Sequence, residues 1–228
     1  TEKQKSKEEL TLKKKHTEIN VEGVTIEVHR KSMSTFNPRQ ERLLDAWTQN
    51  LLDAHFDDKI LPIINFDKVP VKIPSTDFNA VFILYHAAHH MLIGGIGLRQ
   101  ICDWATLLYK HHSEINQTEL KANLKRFHLE PVWREFCRVI ATVIGLDPKY
   151  IPLAPPNIAA TMATEFIIKD IFETGNFGHH KHTPAESCFI KRKWSTFLRT
   201  TQRFAKFVKI FPCFSIPTVL SMYIRIIK

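Results

Sequence analysis

Apolar residues recur every three to four positions through most of residues 39–210, and this spacing constrains the fold more than any other feature of the chain. In residues 39–56 the apolar positions of this kind are Leu43, Leu44, Trp47, Leu51 and Leu52. Glycine is scarce, with 7 residues among 228, which is about half of its usual share. This scarcity disfavours a turn-rich β-sandwich or barrel. We therefore predict that helix exceeds half of the residues.

The same pattern, interrupted by proline and glycine, predicts where the helices lie. One begins after a cap at Ser75 or Thr76 and ends near Ile93, where Gly94-Gly95 breaks it. Residues 57–74 contain three prolines and are predicted to be an extended connector. The other predicted helices are at about 39–56, 97–111, 117–127, 131–144, 158–174 and 189–210, and a shorter apolar segment follows Pro212.

A single stretch, residues 16–30, alternates apolar and polar residues around Glu22-Gly23 and is typical of a β-hairpin. We expect strand to be confined mainly to this stretch. Because an isolated hairpin is only marginally stable in water, it should pack on helices or on a larger sheet. The predicted fold is α+β and mostly α, with a small hairpin in residues 1–36, a helical domain in 37–188 and a basic helical segment in 189–228.

Four polar residues flank the predicted helix break. His86 and His90 are four positions apart and share one helix face, as do Arg99 and Asp103 on the next helix. We expect all four to converge near Gly94-Gly95, with Asp103 accepting a hydrogen bond from a group outside its own helix. Either a polar network that locks the two helices or a ligand site would explain them. Residue 87 is alanine, so the zinc motif H-E-x-x-H is absent.

Several short segments resemble an uncharacterised bacterial family of nucleotidyltransferase-like proteins, within the minimal nucleotidyltransferase superfamily. They are IEVH at 26–29, the H-x-x-x-H of His86 and His90, GIGLRQICDW at 95–104 and GNFG at 175–178. The resemblance spans residues 16–180. It implies transfer of a nucleotidyl group from an NTP to an acceptor, with Mg²⁺ bound by carboxylates.

The resemblance also implies roles for individual residues. Glu27 would be the third carboxylate of the catalytic sheet and a metal ligand, with His29 on the same strand face. The alternative for Glu27 is a solvent-facing side chain on an edge hairpin. The side chains expected to contact phosphate or acceptor, or to position the sheet, are His29, His86, His90, Arg99 and Asp103.

The family's Gly-Ser and Asp-x-Asp motifs do not occur in these 228 residues. One carboxylate does not hold two metal ions, so we expect the chain to be inactive by itself. The first half of the catalytic sheet would then be missing, truncated, or supplied by another chain.

The formal net charge of +9 comes from the C-terminal quarter, since residues 176–228 hold ten Lys or Arg and one acid. Helix 189–210 is predicted to be amphipathic, with basic residues on one side at Arg192, Arg199, Arg203 and Lys206. Its apolar stripe would be Trp194, Phe197, Leu198, Phe204, Ala205 and Val208.

Two interpretations of this basic face remain open. The helix can pack on the core with its basic side in solvent, or it can dock on an anionic membrane or a phosphate-rich partner. In the second case the chain would be a non-catalytic binding module. The apolar run at 210–224 is too short for a transmembrane helix. Nucleic acid is not an expected partner, because no nucleic-acid-binding motif is present.

The four cysteines show no metal-binding or disulfide spacing, which favours a reducing, cytoplasmic location, with membrane association as the alternative. His179, His180 and His182 form a short His-rich stretch. It is expected to be a solvated loop that binds metal only adventitiously.

Overall fold

The computed structural model describes residues 16–21, 24–29, 37–55, 63–66, 68–175 and 189–227. Helix is the main structure in these ranges, which confirms the α+β, mostly α fold. The α-helices are α1 Pro38–His55, α2 Thr76–Ile93, α3 Leu98–His111, α4 Gln117–Arg126, α5 Glu130–Val139, α6 Met162–Thr174, α7 Phe189–Phe207 and α8 Pro212–Ile227. A π-helical turn at Ile140–Ile144 extends α5, and Pro148–Tyr150 forms a 3₁₀ turn.

Polar side chains define the starts of three of these helices. Ser75 Oγ accepts a hydrogen bond from the Phe78 N–H at 3.3 Å, which confirms a cap at the start of α2. Asn116 and Thr161 cap α4 and α6 in the same way. Each cap satisfies a backbone N–H that the first helical turn leaves unpaired.

The predicted hairpin is present as β1 His16–Val21 and β2 Val24–His29, which pair antiparallel with Ile19 opposite Ile26. How this hairpin sits on the helices stays a prediction. A second hairpin, β3 Ile63–Phe66 and β4 Val69–Lys72, lies in the segment predicted to be an extended connector.

The prediction missed the second hairpin because prolines argue against a strand. Pro70 lies in β4 opposite Asn65, and both strands of a two-stranded hairpin are edge strands, where a missing N–H is tolerated. Lys68, with φ 67, makes the tight turn between the strands.

Helix α2 lies at the centre of the core and contacts α3, α4, α5 and α7. Its buried residues are nearly continuous from Phe78 to Leu92. Trp47 of α1 stacks on Phe78 with ring centroids 4.3 Å apart. Trp104 of α3 donates its indole N–H to the Ala80 carbonyl at 3.0 Å and packs edge-on against Trp133 of α5. These contacts position α3 beside α2.

The break between α2 and α3 lies at the predicted glycines. The Gly94 and Gly95 N–H groups both donate to the His90 carbonyl at 2.9 Å, which closes α2. Gly95 has φ +107, and a Cβ there would lie 2.4 Å from the Thr174 Cγ2 atom of α6. Only glycine allows both this conformation and this approach of α6.

Helices α7 and α8 belong to the same core, through the buried Phe204, Phe207, Phe211 and Phe214. The predicted apolar stripe of α7 is therefore partly wrong. Trp194 is 62% exposed and Leu198 is also exposed, whereas the core-facing side includes Thr200, Arg203 and Phe207. The boundary at residue 188 stays a prediction. No helix in the described ranges has the length and apolar character needed to cross a membrane.

Candidate functional site

His86 and His90 meet on one face of α2, as their spacing predicted. Their Nε2 atoms are 2.6 Å apart, and one ring nitrogen donates a hydrogen bond to the other. The ring centroids are 4.4 Å apart. His86 is exposed and His90 is half-buried, so the pair lies at the edge of the core. The structure thus brings these two candidates into direct contact.

Burial, with His86 as the second cause, lowers the pKa of His90 to about 4. The neighbouring His89 is buried, and burial lowers its pKa to about 4 as well, with smaller contributions from His90 and His86. Both imidazoles are therefore neutral at pH 7. His89 was not among the predicted site residues, although it lies within the apolar run of α2.

Arg99 and Asp103 form a separate pair on α3. Arg99 Nε lies 3.9 Å from Asp103 Oδ2, and the two side chains are 91% and 63% exposed. The expectation that Asp103 accepts from another helix is wrong, and these two residues join no buried network. The core side of α3 carries Ile101, Trp104 and Leu108, so positions 99 and 103 face solvent.

A buried ion pair that the sequence did not predict joins α6 to α7. Arg203 Nη2 and Nη1 donate to Asp170 Oδ2 and Oδ1 at 2.7 and 3.1 Å. Arg203 Nε also donates to the Met91 carbonyl at 3.1 Å, near the C-terminal end of α2. Thr174 Oγ1 accepts from Nη1 at 3.3 Å and donates to Asp170.

This ion pair corrects the predicted basic face of α7. Arg203 is 7% exposed and lies in the core. Lys206 is exposed, while the side chains of Arg192 and Arg199 lie outside the described part. The sequence did contain an indication, because Asp170 lies on the same helical stripe as Ile167, Ile171 and Thr174. A charge on a core stripe indicates a buried partner.

A family profile described as uncharacterised nucleotidyltransferase matches residues 2–145. The chain belongs to the uncharacterised nucleotidyltransferase family. No match was found among curated proteins or among solved structures.

The match to the uncharacterised nucleotidyltransferase family includes every site residue named above from the sequence, from Glu27 to Asp103. It ends before the GNFG segment at 175–178 and before Asp170 and Arg203. The α6–α7 ion pair is therefore a feature of the part of this chain beyond the family match.

Glu27 and His29 are strand residues of this family member. The register places Glu27 opposite Glu18 and His29 opposite His16. Their side chains lie outside the described part of the structure, and so does any metal geometry at Glu27. Among the described residues no group of three or more His, Cys, Asp or Glu could hold a metal ion. One carboxylate without Asp-x-Asp does not fit an Mg²⁺ site by itself.

Proposed function

We propose that this chain is the helical part of a protein that transfers a nucleotidyl group from an NTP to an acceptor. The family match over residues 2–145 carries this proposal, because it includes both the β1–β2 hairpin and the α2–α3 pair. Glu27 would contribute one metal-binding carboxylate. The remaining carboxylates that Mg²⁺ requires would come from outside these 228 residues.

In this proposal Arg99 binds phosphate. Its guanidinium is almost fully exposed, and its contact with Asp103 is long, at 3.9 Å. It also lies in the first turn of α3, where the helix dipole favours an anion. His86 and His90 would lie toward the acceptor or the phosphates.

We expect the chain alone to show no nucleotidyl transfer, because one carboxylate supplies too little charge stabilisation for this chemistry. Pyrophosphate release would be measured with each NTP and Mg²⁺. Metal-dependent release by the purified chain, abolished in Glu27→Ala, would contradict the expectation.

The phosphate role of Arg99 is tested by NTP binding to the chain, measured by calorimetry at low salt. Arg99→Ala should weaken binding. Lys169→Ala is the matched control, since Lys169 is an exposed cation in an i,i+4 pair with Glu173 at 3.7 Å. Equal losses in the two variants would indicate only general attraction of anions.

We also propose, as a second candidate function, docking on an anionic membrane surface through the outer side of α7 and α8. Exposed apolar residues recur every four positions on each helix, so each helix presents one stripe. Phe197 and Thr201 of α7 contact Tyr223 of α8, which places the two helices side by side. The apolar α7–α8 face consists of Trp194, Leu198, Ile216, Leu220 and Ile224.

Charge favours a membrane as the occupant of this face. Lys206 and Lys209 are exposed on the same segment, and residues 176–228 hold ten bases and one acid. Trp, aliphatic residues and lysine together are typical of interfacial helices on anionic lipid. A cytoplasmic location, as the sequence predicts, would expose the protein to such a surface.

Co-sedimentation with vesicles tests this candidate. Binding to vesicles that contain roughly 30% anionic lipid should weaken as the salt concentration rises. The double variant Trp194→Ser/Leu220→Ser should lose this binding. Phe172→Ser, at an exposed aromatic residue of α6, is the control. Absence of binding, or self-association through the same face, would overturn membrane docking.

A further inference from the structure

We propose that His86 and His90 form a two-nitrogen chelate for a divalent transition-metal cation of the Zn²⁺, Ni²⁺ or Cu²⁺ class. This site differs from the carboxylate Mg²⁺ site of the proposed function and does not depend on it.

The geometry of the pair supports the chelate. The two Nε2 atoms project from one helix face and lie 2.6 Å apart, so a single cation can reach both. In a tetrahedral zinc site with bonds of about 2.0 Å, two nitrogens lie about 3.3 Å apart. Small side-chain rotations would open the pair by this amount. His86 is exposed, so its ring has room to move.

Metal binding replaces the hydrogen bond within the pair. Each neutral imidazole carries one proton, and one Nε2 proton now lies between the rings. For both Nε2 lone pairs to face the metal, that proton moves to Nδ1 of its own ring through solvent. The protein then binds the cation without a net release of protons from the pair.

The donor chemistry selects the class of cation. Neutral imidazole nitrogen suits Zn²⁺, Cu²⁺ and Ni²⁺, whereas Mg²⁺ takes oxygen ligands. Because the described residues hold no group of three such donors, the other coordination positions would take water or a bound ligand.

The test is calorimetric titration of the full chain with Ni²⁺ or Zn²⁺ alone at pH 7.5. His179, His180 and His182 are first replaced by alanine, so that the His-rich stretch does not bind the metal. In this background His86→Ala should weaken binding at least about tenfold, which corresponds to about 1.4 kcal/mol. His86 is exposed, and an unchanged melting temperature would show that the variant folds.

His111→Ala is the matched control. His111 is a surface histidine at the end of α3 whose ring nitrogen lies 2.9 Å from Glu114, and its loss should leave metal affinity unchanged. Paramagnetic resonance of bound Cu²⁺ should show two nitrogen ligands, and one in His86→Ala. Binding that survives His86→Ala, or that disappears in His111→Ala, would overturn the proposal.

Discussion

Arg203 shows how a single charged residue can organise this core. Its guanidinium donates to Asp170 of α6, to Thr174 of α6 and to the Met91 carbonyl of α2. It also lies 5.4 Å from the centre of the Phe207 ring. A buried arginine is tolerated here because its donors reach acceptors on two other helices.

We predict that Arg203→Met destabilises the protein by about 3–5 kcal/mol, because Asp170 is left as a buried charge without its partner. The free energy of unfolding would be measured in urea. Adding Asp170→Leu to Arg203→Met should recover part of the loss, since no buried charge then remains. Lys169→Ala, in a surface ion pair, should change the stability little. A small effect of Arg203→Met would contradict the prediction.

His89 should make stability depend on pH. Its pKa is about 4 in the folded protein and about 6.5 in an unfolded chain. As the pH falls from about 6.5 to 4, the unfolded chain binds a proton that the folded protein does not. Stability is then lost over this window, by on the order of 3 kcal/mol at its lower end.

The measurement is urea unfolding at pH 7, 6, 5 and 4. In His89→Gln the free energy of unfolding should depend less steeply on pH. Part of the dependence should remain, because the pKa of His90 is also lowered and contributes in the same direction. His128→Gln, at an exposed histidine, is the control variant. A wild-type stability that is constant between pH 6.5 and 4 would show that the prediction is wrong.

At the scale of elements, the α2–α3 connection depends on α6. The Cβ of an alanine at position 95 would meet Thr174 Cγ2 at 2.4 Å and the Gly175 carbonyl oxygen at 3.0 Å. The backbone there also has φ +107, a conformation that residues other than glycine rarely adopt.

We predict that Gly95→Ala costs more than about 2 kcal/mol, from overpacking and backbone strain together. Gly145→Ala is the control, because φ is also positive there but nothing lies within 4 Å of the new Cβ. Thr174→Ser removes Cγ2 and keeps the hydroxyl, so it should partly rescue Gly95→Ala. Thermal unfolding of the four variants tests this, and equal losses at positions 95 and 145 would refute the clash.

At the scale of the whole molecule, the core extends beyond the region that matches the family. The match ends at residue 145, but Asp170, Arg203, Phe207 and Phe214 continue the same buried interior. Helix α7 packs on α2, which carries the histidine pair. The segment at 189–228 therefore packs against the helix that carries the candidate site, in addition to presenting a surface of its own.

We predict that removal of residues 189–228 abolishes cooperative unfolding, because Asp170 and the Met91 carbonyl lose their partner and α2 loses its cover. Removal of residues 212–228 alone should be milder, since Arg203 and Phe207 remain. Both truncations would be followed by circular dichroism during heating. If the chain ending at residue 188 melts as sharply as the full chain, 189–228 is a separate segment, as the sequence first indicated.

The sequence by itself determined the helices α1 to α7, the β1–β2 hairpin, the break at Gly94-Gly95 and the meeting of His86 with His90. These features depend on local spacing, because residues four positions apart in a helix share a face whatever surrounds it. The resemblance to nucleotidyltransferases also followed from short contiguous motifs and was confirmed.

Only the tertiary structure decided which charges are buried. Arg203 and Arg199 look alike in the sequence, and Arg203 is a core residue because Asp170 and the Met91 carbonyl lie where α7 crosses α2 and α6. Arg99 and Asp103 face solvent because Trp104 fixes the rotation of α3 against α2. The periodicity of apolar residues indicates which face of a single helix is apolar. Whether a charged residue is buried depends on partners that are distant in the chain.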